Sequence, residues 1–220
     1  MFDTEILQLF LKGTGETFYM VLLSTFLAYV IGLPLGIVLV MTDKDGLTPN
    51  AVINQILGVI VNIFRSIPFV ILMVALIPVT RAIVGTTLGS GATVVPLVIG
   101  SAPFVARMVE SSIKEVDHGV IEAAQSMGAN PVQIVFKVLL AEAKPSLIVG
   151  SAIAITTILG YSALSGFIGG GGLGSIAINY GYYRYDTAIM MVTVAILVII
   201  VQIFQEVGMR VAKSSDRRNR

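Results

Sequence analysis

The chain has 220 residues, of which 55% are hydrophobic and 12% charged, with a mean hydropathy of +0.91. A soluble domain carries about 25% charged residues, so an ordinary cytosolic enzyme and a disordered chain are both excluded. The formal net charge of +1 offers no field for a polyanion, which excludes nucleic-acid binding and leaves an integral membrane protein.

Uncharged runs set the expected crossings. The first sixteen residues hold Asp3, Glu5 and Glu16 against Lys12, unlike the basic start of a cleavable leader, so the N-terminus is expected to be retained. A segment over 1–12 precedes the first run, Thr17 to Met41, which is long enough to cross with some tilt. The stretch from Gly46 to Thr80 is interrupted by Arg65, and Ser66 to Thr80 is too short to cross alone. Counting about 20 residues inward from Thr80 gives a span over 58–80, with Arg65 snorkelling to the inner face. Spans over 86–106, 145–164 and 187–207 follow, and a basic tail over 208–220 closes the chain. The expected fold is therefore all-α with five transmembrane helices.

Orientation follows from lysine and arginine. Five crossings put Lys12, Arg81 and Arg184 on one side, and Lys44, Arg107, Lys114, Lys137, Lys144, Arg210 and the tail on the other. The richer side is expected to be cytoplasmic, with the N-terminus outside and the C-terminus inside. Pro34, Pro68, Pro96 and Pro103, with Gly32, Gly36, Gly89, Gly91 and Gly100, punctuate the spans. Close helix packing accounts for such residues, and a water-lined path is the alternative.

The chemistry the chain lacks is informative. There is no cysteine, and the lone histidine, His118, sits among Lys114, Glu115 and Asp117 as a surface residue, so no metal cluster is expected. No acid falls within Thr17–Met41, between Asp45 and Glu110, or between Glu142 and Asp186, which argues against proton coupling through a buried carboxylate. No lysine follows a glycine, so a phosphate-binding loop of the G-x-x-x-x-G-K-[ST] kind is missing. Gly169, Gly171 and Gly174 match G-x-G-x-x-G but follow a membrane helix, not a strand, which removes the dinucleotide reading. If ATP drives this protein, a separate chain hydrolyses it; no cofactor is expected here, and the chain itself is not an enzyme.

The segment 107–144 concentrates charge. Arg107, Glu110 and Lys114 are spaced to pair on a helix that extends the third span into water. Gly119 opens a short helix through VIEAAQSMGANP, stopped at Gly128, Asn130 and Pro131. Pro131 starts a second helix whose Val132, Val135, Val138 and Leu139 form an apolar stripe. Ala123 and Ala124 give the first helix a low profile beside Glu122, suited to another protein's groove, although alanine pairs also arise from helix propensity alone.

At this loop the chain resembles a known family. Glu122, Ala123, Ala124, Gly128 and Leu140 resemble the E-A-A…G…L-P signature of ABC importer permeases, departing at Ala141 where the family has proline. The stretches NIFRSIPF (62–69), IPVTRAIVGTTLG (77–89), APFVARMVE (102–110) and GYSALSGFIGGGGLG (160–174) are similar to the methionine-uptake branch. The resemblance implies a type I permease domain over 13–204 in the bacterial cytoplasmic (inner) membrane, working as a homodimer. Two copies of a cytoplasmic ATPase, which bind ATP and Mg, and an extracytoplasmic methionine-binding protein would be its partners. It also implies that 107–144 is a coupling loop, with Glu122 as the polar contact, Ala123 and Ala124 as the close fit, and Gly128 as the turn. Tyr161, Ser162, Leu164 and Ser165 are the candidate translocation path, with Leu164 occluding it; packing is the competing reading. Tyr180, Tyr182, Tyr183 and Tyr185 suit an interfacial belt. Two other functions compete: a stand-alone carrier or channel, which leaves the structured loop unexplained, and a membrane scaffold, which does not need the broken helices.

Overall fold

The computed structural model describes residues 4–215, so Arg217, Arg218 and Arg220 of the expected tail lie outside the described residues. Among the described residues every regular element is helical. Four helices are long and apolar enough to cross a membrane, with a fifth crossing if the broken pair α2 and α3 counts as one.

Helix α1 runs from Thr4 to Thr42, about 58 Å at 1.5 Å per residue, well beyond the bilayer core. It starts thirteen residues ahead of the run read from uncharged residues, so Lys12 stands on the helix and not in a leading segment, with Glu16 one turn further on. Helices α2 (Ala51–Ser66), α3 (Phe69–Ala75) and α4 (Ile77–Val84) replace the single helix expected over 58–80. Pro68 has no N–H to donate and biases Ile67 away from helical geometry, which ends α2 one turn past Asn62. α4 closes on Gly85 at φ +81°, and Gly89 at φ +89° precedes helix α5 (Ser90–Lys114). α5 is the buried post: 67% of its most apolar window is covered, against 28, 33 and 17% for the other three spans.

Next come α6 (His118–Ser126), the single turn α7 (Pro131–Gln133), a π-helical turn over Ile134–Leu139, and α8 (Leu140–Glu142). α9 (Lys144–Leu164) passes into a 3₁₀ turn at Ser165–Ile168 and a glycine loop. α10 (Gly172–Ile176), a second π turn and α11 (Thr187–Ser215) complete the described chain. α11 continues through the first part of the segment read as a tail. There Glu206 and Arg210 pair at 2.6 Å one turn apart, and Gly208 lets the helix approach Ala152 closely.

The contacts divide into two compact units, and each long helix contributes to both. One comprises residues 1–28, 67–101 and 154–205 and has a core of Phe10, Val21, Leu159, Leu173, Ile176, Ile189 and Ile200. The other comprises 29–66, 102–153 and 206–220 and packs Leu39 and Val61 on Ala106. In that second unit α1 and α5 touch backbone to side chain at glycines. A Cβ on Gly36 would lie 2.6 Å from the Ala106 carbonyl and 2.7 Å from Val109. Close approach through small residues is the usual basis of helix packing in lipid, where no hydrophobic drive separates helix from tail. Gly15 of the same helix has nothing within 4 Å. Gly36→Ala is therefore expected to destabilise by about 1–3 kcal/mol. Gly15→Ala should leave the midpoint unchanged or raised. Thermal unfolding of the two variants in one detergent reads both.

Candidate functional site

α6 is made by its ends. Asp117, extended at φ −61° and ψ 130°, accepts a hydrogen bond from the Gly119 amide at 2.7 Å and caps the helix at His118. Gly128 at φ +80° ends it: the Gly128 and Ala129 amides reach back to the Gln125 and Ala124 carbonyls at 2.9 and 3.1 Å. Asn130 then forms a capping box with Gln133, each side chain accepting from the other's amide at 2.9 and 3.0 Å, with Pro131 at the first helical position. Two short, well-defined helices thus meet at a fixed turn.

The outward face of α6 carries Glu122 and Ala123, with Val120 and Met127 also exposed; Met127 is 82% accessible. Ala124 is buried, so of the two alanines only Ala123 is available to a partner. The reading that gave both a place in a groove is corrected on this point: Ala124 is covered by this chain itself, in a helix that packs on the 134–139 turn. The apolar stripe is corrected at one position: Val135 and Leu139 are buried and Val138 half-buried, but Val132 is exposed. Val132 stands in the first turn after Pro131, ahead of the 134–139 turn that packs on α6.

Behind α6 lies a hollow of about 410 Å³, floored by Val40, Ile113, Val116, Ile121 and Leu139 and rimmed by Asp43, Asp45, Lys114, His118, Glu122 and Gln125. Its walls are tied by charge. Arg107 donates to Glu110 at 2.6 Å and Lys114 donates to the other oxygen of Glu110 at 3.0 Å, as the sequence spacing anticipates. Lys114 also reaches Asp43 at 2.6 Å, and Arg107 donates to the Gly58 carbonyl at 3.2 Å and Asn62 at 2.9 Å. One chain of contacts therefore joins the end of α1, the body of α2 and the end of α5. The Lys114 ammonium, with the Lys44 amide, holds the Asp43 carboxyl below the usual carboxylate range. His118 is exposed at the start of α6, and among the described residues no three potential metal ligands come together.

The other candidate residues lie at the end of α9. The Tyr161 ring stacks on Phe69 with centroids 4.1 Å apart and planes within 6°. Ser162 and Ser165 are buried, and their hydroxyls donate to their own helix, to Leu159 at 2.8 Å and to the Ser162 carbonyl at 2.6 Å. Leu164 is half-buried where α9 gives way to the 3₁₀ turn. Arg184 lies 4.4 Å over the Tyr180 ring, while Tyr182, Tyr183 and Tyr185 are exposed.

Three residues outside those candidates fix the loop after α9. Glu16 accepts from the Gly172 amide at 2.7 Å, Thr17 accepts from the Leu173 amide at 2.9 Å, and Thr93 donates to the Gly170 carbonyl at 3.1 Å. The only signal in the sequence was the loop itself: a glycine run inside an apolar stretch has amides and carbonyls that something must satisfy.

The family model described as "Binding-protein-dependent transport system inner membrane component" matches residues 28–220. A probable D-methionine transport system permease protein from Vibrio cholerae is 50% identical over 211 residues, covering 96% of this chain and 94% of its own. The D-methionine transport system permease protein of Escherichia coli K12 is 49% identical over 161 residues, 73% of this chain and 74% of that one. Among solved structures, the inward-facing native crystal form of the MetNI methionine ABC transporter has a chain that superposes with a TM-score of 0.97 at 45% identity, covering 98% of this chain and 100% of its own. An amino acid ABC transporter crystallised with histidines shares the fold, with a TM-score of 0.78 at 20% identity over 97% of this chain and 99% of its own. On these matches the chain belongs to the family of inner membrane components of binding-protein-dependent transport systems, the permeases of ABC importers, in its methionine-permease branch.

Proposed function

We propose that this chain is the permease subunit of an ATP-driven methionine importer in the bacterial inner membrane. The observation that carries the reading is the end-to-end match, at 45% identity and a TM-score of 0.97, to a chain of a methionine ABC transporter. Two copies of the chain form the pathway, because five crossings enclose too little on their own. Two cytoplasmic ATPase subunits bind ATP and Mg, and an extracytoplasmic binding protein delivers methionine. The N-terminus lies outside and the C-terminus inside, as the distribution of lysine and arginine favours. ATP is hydrolysed on the separate ATPase subunits, and the work proposed for this chain is mechanical.

α6 is the coupling helix. Glu122 and Ala123 stand on its outward face, and the cap at Asp117 and the turn at Gly128 make it rigid enough to be pushed. ATP closes the ATPase pair; the groove holding α6 shifts; the short connection from Val116 passes the shift to Lys114, which is bonded to Glu110 and Asp43. The permease changes state only to the extent that the ATP-bound ATPase binds its two forms with different affinity. Tyr161, Ser162, Leu164 and Ser165 border the path, and in the present conformation the two serine hydroxyls are turned inward.

Glu122→Lys places a cation on the docking face and is expected to abolish co-purification of the ATPase; co-purification at wild-type yield would defeat the coupling-helix assignment. Glu110→Leu leaves Arg107 and Lys114 without their shared partner and should cost about 3 kcal/mol, read as a lowered thermal midpoint of the purified permease. The Asp43–Lys114 contact has a defined pH signature. Asp43 is depressed in the folded state, so its contribution is present above the unfolded value of about 4 and fades as pH falls through the lower folded value. The difference in midpoint between wild type and Asp43→Asn should therefore stay constant from about pH 6 to 8 and shrink below about pH 4.

A further inference from the structure

The backbone from Gly169 to Gly171 is non-helical and runs into α10 at Gly172, close against Leu88, Thr93, Ser165 and Glu16. Leu173 and Met20 are fully covered, and Gly169, Gly171 and Gly172 all lie at positive φ, between +70° and +83°. A chain of that composition has more freedom to lose than any other, so it stays in one conformation only if its polar groups are held. They are held from two helices. The start of α5 supplies donors: the Gly89 amide to the Gly169 carbonyl at 2.9 Å, and Thr93 to the Gly170 carbonyl. α1 supplies acceptors, Glu16 for the Gly172 amide and Thr17 for the Leu173 amide. Glu16 is the one charged member, and its other oxygen is only loosely engaged by exposed Lys12 at 3.9 Å. The loop is bonded directly to the candidate path, through the Gly170 amide and the Ser165 carbonyl at 2.9 Å.

We propose that Glu16 is a positioning residue for translocation, holding the glycine loop and, through Gly170 and Ser165, the end of α9 in its working geometry. The proposal rests on the reading that Tyr161–Ser165 borders the path. A carboxylate accepting a backbone N–H makes a strong, directional bond; Glu16 is part-exposed and makes it from α1, so movement of α1 is felt by the loop. Glu16→Gln keeps an acceptor oxygen at the same reach; Glu16→Leu removes it.

The test reconstitutes the complete transporter, permease with ATPase and binding protein, and measures radiolabelled methionine uptake and ATP hydrolysis in the same proteoliposomes. With Glu16→Leu, methionine carried per ATP is expected to fall about tenfold while ATPase association is retained, and Glu16→Gln should stay within about threefold of wild type. A merely stabilising role would lower uptake and hydrolysis together and leave the ratio unchanged, which overturns the proposal. Equal impairment in the Gln and Leu variants also overturns it, because charge and not the acceptor would then be at work. If the Leu variant fails to assemble, Thr17→Val removes the neighbouring acceptor and is read the same way. Amide hydrogen exchange over 165–176 is independent of substrate: faster exchange is expected in Glu16→Leu, and unchanged exchange contradicts the proposal. Wild-type complex that imports no methionine would instead overturn the proposed function, a separate outcome visible in the control.

Discussion

Glu110 is a carboxylate with 12% of its side chain exposed, and its surroundings follow from that burial. A lone anion there would cost several kcal/mol, and two cations reach it. Arg107 comes from one turn earlier and Lys114 from one turn later on α5, and each cation brings a second partner. Arg107 draws in the Gly58 carbonyl and Asn62 on α2, and Lys114 draws in Asp43 at the end of α1. Three elements distant in sequence are thereby joined at the point where α5 hands over to α6. Removing the carboxylate takes the shared anion from two cations at once and leaves each with only its second partner, so this network, rather than any exposed ion pair, ties the three elements together.

The second constraint acts on backbone. Where a helix breaks inside an apolar environment, its freed N–H and C=O groups must find partners within the protein. The chain solves this for the loop after α9 with two threonines, one glutamate and a serine: Ser175 takes the Gly171 amide at 2.9 Å. Glycine is needed there for two separate reasons. Gly171 and Gly172 occupy the left-handed region, while Gly166 and Gly174 lie so close to neighbouring backbone that a Cβ has no room. A G-x-G-x-x-G pattern arises from these packing demands without any phosphate to bind.

What the sequence made legible was what depends on neighbours a few residues apart. The Arg107, Glu110 and Lys114 spacing, the stop at Gly128 and the start at Pro131 are local, and each is found in the structure. What it hid depends on distance or on local geometry that spacing does not encode. Glu16 and the Gly172 amide are 156 residues apart, so nothing local tied the acid just ahead of the first uncharged run to the glycine loop. Val132 fits the apolar spacing of Val135 and Leu139, yet it is exposed because the segment that packs on α6 begins only at Ile134. Pro68 was visible, but hydropathy alone carried one helix across it. Ala124 could be placed beside Ala123 on a helix, yet which of the two faces inward depends on the segment packed beneath.

In the proposed function, motion generated on another protein is received at α6 and used to move methionine. That claim is tested most directly by radiolabelled methionine uptake into proteoliposomes holding this chain, its ATPase and its delivery protein, with ATP inside the vesicles or withheld. Accumulation against the gradient only when ATP and all components are present is the predicted result. Equal uptake without ATP would contradict it and identify a carrier that works alone.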